Sequence, residues 1–313
     1  MRLSIRHTTR YLFDTPVVHA LQRLRLTPKQ TQGQEILEWE MEYHNAHPEF
    51  VYEDQHHNTV NLVSVETGAQ EVTVTCRGRV DTHDHAGVIG RHAGHLPLWS
   101  FLAQTPQTTP GPGMRKLAGE VGKRSESRLD TLHHLSGAIL DRVEYKTGTT
   151  HSRTIAEEAY AAANGVCQDH AHIFIGIARS LGIPARYVSG YLMMNDRVEQ
   201  EAGHAWAEAY VDELGWVGFD ISNGISPDER YVRVATGRDY RDASPIKGIS
   251  FGTTGDAPAL DDGVARAIMD HNFTPQNKVN WRNHALQFGS IDRLIQTLEM
   301  PPEDERLVRA RES

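Results

Sequence analysis

The sequence predicts an α+β protein: a helix bearing a cysteine in its first turn, packed on an antiparallel sheet and preceded by a small N-terminal β-sandwich. Three observations predict it. Residues 1–82 carry several period-two stretches with no helical punctuation between them. A helical block lies between about 126 and 182, and after Gly182-Ile183-Pro184 the pattern returns to strands.

The N-terminal strands come first. Leu37, Trp39, Met41 and Tyr43 alternate with Glu38, Glu40, Glu42 and His44, and Val72, Val74 and Cys76 alternate with Thr73, Thr75 and Arg77. Residues 21–26 and 59–65 are further strands. Cys76 falls on the apolar phase of its strand and reads as a packed small hydrophobe. Arg23 and Arg25 sit at alternate positions and read as a solvated sheet face. From 83 to 125 Gly, His, Thr and Pro accumulate, and the run from Thr105 to Gly113 is not expected to sustain a regular element. That segment is expected to be a linker or a lid.

Residues 126–255 make the expected α+β core. Leu132, Leu135, Ile139 and Val143 have helical spacing, and Thr154 with Glu157 reads as a capping box opening a helix that Asn164-Gly165 ends, Gly165 as its left-handed cap. A second, amphipathic helix begins near Cys167, with Ile173, Ile177 and Leu181 four apart, and stops at Gly182 and Pro184. Strands follow at 185–193, 203–211 and 216–221. The tail, 256–313, is expected to be weakly folded apart from a helix over Ser290–Leu298.

Composition excludes several classes. A net charge of -9 argues against nucleic acid as a partner, and no apolar run approaches the roughly 18 residues that span a bilayer, so no membrane is expected. Two cysteines make no disulfide framework, and the first residues lack an apolar signal core, so a cytoplasmic location is expected. The 18 histidines are scattered, as at His56-His57, His92, His95 and His133-His134, and read as solvated loop residues. Cys167, His170, His172 and His204 are metal-ligating types, but their spacing is no recognised zinc set; neither metal nor cofactor is expected.

The chemistry gathers at three residues. Cys167 opens a helix, where unsatisfied N–H groups and the helix dipole favour thiolate over thiol. His204 opens the strand His204-Ala205-Trp206-Ala207-Glu208, with small residues on one face. Asp220 closes the partner strand, and a turn at 212–215 makes the two a hairpin that brings the carboxylate toward the imidazole. Thiol, imidazole and carboxylate in this order suit nucleophilic catalysis.

Gly165-Val166-Cys167-Gln168-Asp169-His170-Ala171-His172, Gly182-Ile183-Pro184-Ala185-Arg186-Tyr187, His204-Ala205-Trp206-Ala207-Glu208 and Gly215-Trp216-Val217-Gly218-Phe219-Asp220 resemble the core of the bacterial transglutaminase-like superfamily, whose fold is of the papain-like cysteine protease type. His7-Thr8-Thr9-Arg10-Tyr11 and Leu24-Arg25-Leu26-Thr27-Pro28 resemble the β domain that precedes this core in one bacterial subfamily. Two positions depart from the pattern. Asp220-Ile221-Ser222 stands where Asp-Pro-Thr is usual, and His170 replaces a common aromatic residue, either tuning the cleft or facing solvent.

The resemblance implies Cys167, His204 and Asp220 as the catalytic triad. Around it, Tyr187, Tyr191 and Trp206 are the candidate cleft residues, Trp206 and Trp216 also reading as packing. Asp169 and Arg186 are a candidate buried pair behind the site. The implied activity is acyl transfer through a thioester on a peptide or protein substrate, chiefly peptide or isopeptide hydrolysis. A lysine acceptor in place of water would make a protein-glutamine gamma-glutamyltransferase; a third reading is a non-catalytic interaction module. Oligomeric state is open.

Overall fold

The computed structural model describes residues 1–13, 15–123, 127–194, 199–200, 203–251, 266–270 and 280–281. Six strands open the chain: β1 (Arg2–Leu12), β2 (His19–Leu24), β3 (Gln34–His44), β4 (Ala46–Glu53), β5 (Thr59–Val65) and β6 (Glu71–Thr82). β6 lies between β1 and β3 in one sheet, while β2, β5 and β4 adjoin in the other. The two sheets meet on Tyr11, Leu24, Val63, Val72, Val74 and Cys76. Each aliphatic side chain so buried stabilises the fold by about 1.5–3 kcal/mol.

Two readings of these strands are corrected. The alternation of β3 fails at Leu37, where a bulge shifts the register between Ile36 and Glu38 and leaves Leu37 39% exposed. Nor do the arginines share a solvated face. Arg25 is buried, its Nε donating to Asp54 Oδ2 at 2.9 Å.

The segment read as a linker or a lid packs on the core and carries regular elements on either side of residues 105–111, which are loop as expected. β7 (Val88–Gly90) pairs with an edge of the core sheet, a short 3-10 turn spans Leu98–Leu102, and α1 is Pro112–Val121. Pro112 sits in the first turn, where its missing N–H costs nothing. Glu157 then caps this helix from outside, accepting from the N–H groups of Gly113 at 2.7 Å and Met114 at 3.1 Å. The predicted Thr154–Glu157 capping box is therefore absent; Thr154 Oγ1 accepts from His151 N instead.

The remaining elements run in order: α2 (Arg128–Arg142), β8 (Glu144–Tyr145), α3 (Ala156–Ala162), β9 (Asn164–Gly165), α4 (Cys167–Ser180), β10 (Ala185–Leu192), β11 (Glu199–Gln200), β12 (His204–Val211), β13 (Gly215–Phe219), β14 (Tyr231–Gly237), α5 (Tyr240–Ala243), β15 (Ile246–Phe251), β16 (Arg266–Asp270) and β17 (Asn280–Trp281). The core sheet has the order β14-β10-β12-β13-β7 and is antiparallel throughout. β15 leaves the core to pair with β2, β16 pairs with β1, and β11 runs parallel to β17. The expected helix at Ser290–Leu298 lies outside the described residues.

α4 is the pivot. Ala205, Ala207 and Ala209 on one face of β12 let it approach closely. Helices α1, α2 and α3 cover its other sides. It is consequently buried all round from Asp169 to Arg179, rather than amphipathic as its spacing suggested. The opposite face of the core sheet, with Val188, Trp206 and Val232, packs on Leu3, Ile5 and Val80 of the sandwich. Among the described residues no helix is long and apolar enough to cross a membrane.

Candidate functional site

The start of α4 is held by its own third residue. Val166 is extended, and Asp169 Oδ2 reaches back to accept from Val166 N at 2.8 Å and from Thr150 Oγ1 at 2.6 Å. Gly165 is needed beneath this carboxylate, because a Cβ there would meet the Asp169 Cβ at 2.7 Å. The left-handed cap of the preceding helix is Ala163, with φ 56°, and not Gly165. Burial pushes the Asp169 carboxyl up, against the two hydrogen bonds it accepts.

Asp169 and Arg186 do not pair. The register of β10 and β12 sets Arg186 opposite Glu208, and Arg186 Nε donates to Glu208 Oε2 at 2.6 Å. Arg233 Nε donates to Oε1 of the same carboxylate at 2.6 Å. Glu208 is fully buried. Burial would raise its carboxyl, but the two guanidinium groups outweigh that and hold it at about 2. The Arg186 guanidinium also lies 3.9 Å from the centre of the Trp216 ring, which makes Trp216 a packing residue.

The three chemical residues do come together. His204 Nε2 lies 2.6 Å from Asp220 Oδ2, just past the end of β13. Cys167 lies near enough to the same imidazole to contribute to its ionisation. Burial would lower the imidazole, yet the charge and hydrogen bond of Asp220, with a smaller contribution from Cys167, raise it to about 10. Asp220 is fully buried and its carboxyl is held below the usual range: burial opposes this, but His204, Tyr231 and Asn223 outweigh it. The Oδ2 atom accepts from Tyr231 Oη at 2.7 Å and from Asn223 Nδ2 at 2.6 Å. Cys167 is 9% exposed and the His204 side chain 10%, so both keep a small contact with solvent. A thiol, an imidazole and a carboxylate so linked can pass a proton and generate a nucleophile.

The other candidates divide. Tyr187 is buried beside the thiol, and burial followed by the Cys167 charge pushes its phenol well above its ordinary range. Tyr191 leaves the site: its Oη lies 2.7 Å from His7 Nδ1 and 3.7 Å from Cys76 Sγ. Four residues apart on one strand, these tyrosines would share a face, yet Tyr187 packs with the α4 core and Tyr191 on the side of the sandwich; between them the β10–β14 register shifts past Val234. Trp206 is 1% exposed and packs between the rings of His204 and Tyr231 at 6.2 and 5.4 Å.

His170 does not face solvent. It is fully buried, its Nε2 2.9 Å from Val143 O and its Nδ1 3.1 Å from Ser222 Oγ. The two departures from the family pattern, His170 and Ser222, therefore touch. His172 Nε2 accepts from Tyr240 N at 3.1 Å. The set Cys167, His170, His172 and His204 does not converge on a common point; among the described residues the grouping of metal-ligating atoms is Glu53, His57 and His95.

Asn223 and Tyr231 escaped the sequence reading. Asn223 follows Asp220 by three residues in a turn, a spacing typical of turn chemistry that points to no particular partner. Tyr231 opens the next strand and carried no signal.

Residues 115–221 match the model of the transglutaminase-like superfamily, and residues 3–81 match the bacterial transglutaminase-like N-terminal region. The uncharacterized protein ML0607 of Mycobacterium leprae is 29% identical over 264 residues, covering 80% of this chain and 94% of its own. The uncharacterized protein Rv2569c of Mycobacterium tuberculosis is 27% identical over 290 residues, covering 84% and 91%. Among solved structures, the "putative cysteine protease" of Cytophaga hutchinsonii superimposes with a TM-score of 0.65 at 20% identity, over 92% of this chain and 98% of that one. The chain thus carries a transglutaminase-like superfamily core at residues 115–221 behind a bacterial transglutaminase-like N-terminal region at residues 3–81.

Proposed function

We propose that the protein is a cysteine-dependent amide hydrolase acting on peptide or isopeptide bonds, with Cys167, His204 and Asp220 as its catalytic residues. The observation that carries the reading is the contact of the His204 imidazole with the buried Asp220 carboxylate, on a ring whose ionisation also responds to Cys167. The thiol proton passes to His204, and the thiolate attacks the amide carbonyl carbon to form a C–S bond. The oxyanion is met by N–H groups in the first turn of α4, that of Cys167 among them, which have no partner inside the helix. His204 then gives its proton to the leaving nitrogen as the C–N bond breaks, leaving a thioester and free amine. Water, deprotonated by His204, attacks the thioester; the C–S bond breaks, the acid departs and the thiol is restored.

The test is incubation of the full chain with fluorogenic peptide amides and ε-linked isopeptides, without added amine. Product release that vanishes in Cys167→Ala supports hydrolysis. Turnover that appears only with a lysine or alkylamine acceptor replaces hydrolysis with transamidation. A Cys167 that forms no acyl adduct with any of these substrates would overturn the enzymatic reading.

A further inference from the structure

The hairpin joining β4 to β5 and the loop after β7 bring three side chains together away from the thiol. Glu53 ends β4, His57 lies in the hairpin turn and His95 in the loop, and one ligand atom from each lies within 4.8 Å of the other two. The imidazole rings of His57 and His95 stack at 4.8 Å with 24° between their planes, and Glu53 Oε1 is in close contact with His57 Nδ1.

His57 is an unusual residue in three respects. Its backbone is left-handed, with φ 56°, a region that few non-glycine residues occupy. Its Nε2 is shielded from solvent and has no hydrogen-bond partner, which a native structure rarely tolerates. Gly94, itself at φ +142°, passes so near that a Cβ would stand 3.1 Å from His57 Cδ2 and Nε2. The neighbouring histidines are otherwise engaged. His56 Nε2 faces Asp242, and His92 bonds to Leu96 O and to the Trp216 indole N–H.

From these contacts we propose that Glu53, His57 and His95 form a site for a divalent transition-metal ion. Two imidazoles and a carboxylate suit Zn²⁺ and Ni²⁺, while Mg²⁺ and Ca²⁺ prefer oxygen ligands throughout. A tetrahedral zinc shell separates its ligand atoms by about 3.3 Å, so the widest separation must close by roughly an ångström and a half while the Glu53–His57 contact opens. Glu53 and His95 are exposed, and side-chain rotation supplies that movement. Water fills the fourth position. Since Glu53 and His57 belong to the sandwich and His95 to the segment that covers the core, the ion fastens one to the other.

The experiment uses the full chain carrying Cys167→Ser, which removes the competing thiol ligand, after stripping with a chelator. Titration calorimetry and thermal melts follow ZnCl2, with MgCl2 as control. The expected result is one equivalent of Zn²⁺ and a Tm rise of about 5 °C at saturation, with no response to MgCl2. His95→Ala and Glu53→Gln each weaken binding at least tenfold while melting like the parent in chelator. Failure of the parent to bind Zn²⁺, undiminished binding in both variants, or an equal response to MgCl2 overturns the proposal.

Discussion

The protein holds two cysteines, each beside a histidine and a tyrosine, and they differ in kind. Cys76 faces His7 across β1 and β6, with the Tyr191 hydroxyl 3.7 Å from its sulfur. Burial pushes this thiol up to about 12 and the His7 imidazole down to about 3, so both stay neutral. Cys167 lies beside His204, which is also buried but is raised to about 10 because Asp220 stands behind it. Proximity of thiol and imidazole is thus insufficient. At His204 the Asp220 carboxylate stabilises the imidazolium, whereas at His7 burial sets the direction.

Removing the carboxylate's charge should erase most of the difference. Asp220→Asn is expected to lower kcat/KM on the best amide substrate by about 10³–10⁴-fold with the fold retained, as measured by steady-state kinetics and circular dichroism. Next in size is the contrast in reactivity. Iodoacetamide on the native protein at neutral pH should modify Cys167 at least ~100-fold faster than Cys76, which reacts only on unfolding in guanidinium. Peptide mass spectrometry separates the two; equal rates would remove the distinction.

The pH dependence of stability sharpens the comparison further. His204 is raised in the folded state, so its contribution is complete below pH 6.5 and is lost as pH rises through about 10. Urea melts should show wild type losing on the order of a few kcal/mol across that window, and Asp220→Asn losing less. His7, depressed to about 3, gives the sandwich no such slope there. A smaller change is expected from Tyr231→Phe, which removes one of the hydrogen bonds to Asp220 Oδ2. About a tenfold loss in kcat with little change in KM is expected, consistent with roughly 1–1.5 kcal/mol. Smallest is the His170–Ser222 contact: a double-mutant cycle with His170→Phe and Ser222→Thr should give a coupling of about 0.5–1 kcal/mol in stability.

The elements carrying the site were legible in the sequence, since each has a strong local signal. The helix stop at Gly182-Ile183-Pro184 and the alternation in β12 and β6 depend on neighbours along the chain. The failures arose where a distant partner or an inserted residue decides. The register shift between β10 and β14 leaves no mark in composition, and beyond it Tyr191 packs on the side of the sandwich. Arg186 found Glu208 rather than Asp169 because strand register, not proximity in the chain, selects the pair. The Thr- and Pro-rich stretch reads as loop and is loop from 105 to 111; what the sequence does not show is that buried Arg179 fixes it, donating to Thr108 Oγ1 at 3.1 Å. Tyr231 and Asn223 meet Asp220 only in three dimensions.

The most direct test of the difference between the two thiols is the rate of iodoacetamide alkylation at Cys167 and Cys76 from pH 5 to 9, in wild type and in His204→Ala. Reaction at Cys167 at the acid end of the range that falls at least ~10-fold in His204→Ala, with Cys76 inert in both, is the predicted result. Identical Cys167 profiles in the two proteins would contradict it, because the imidazole would then have no hold on the thiol.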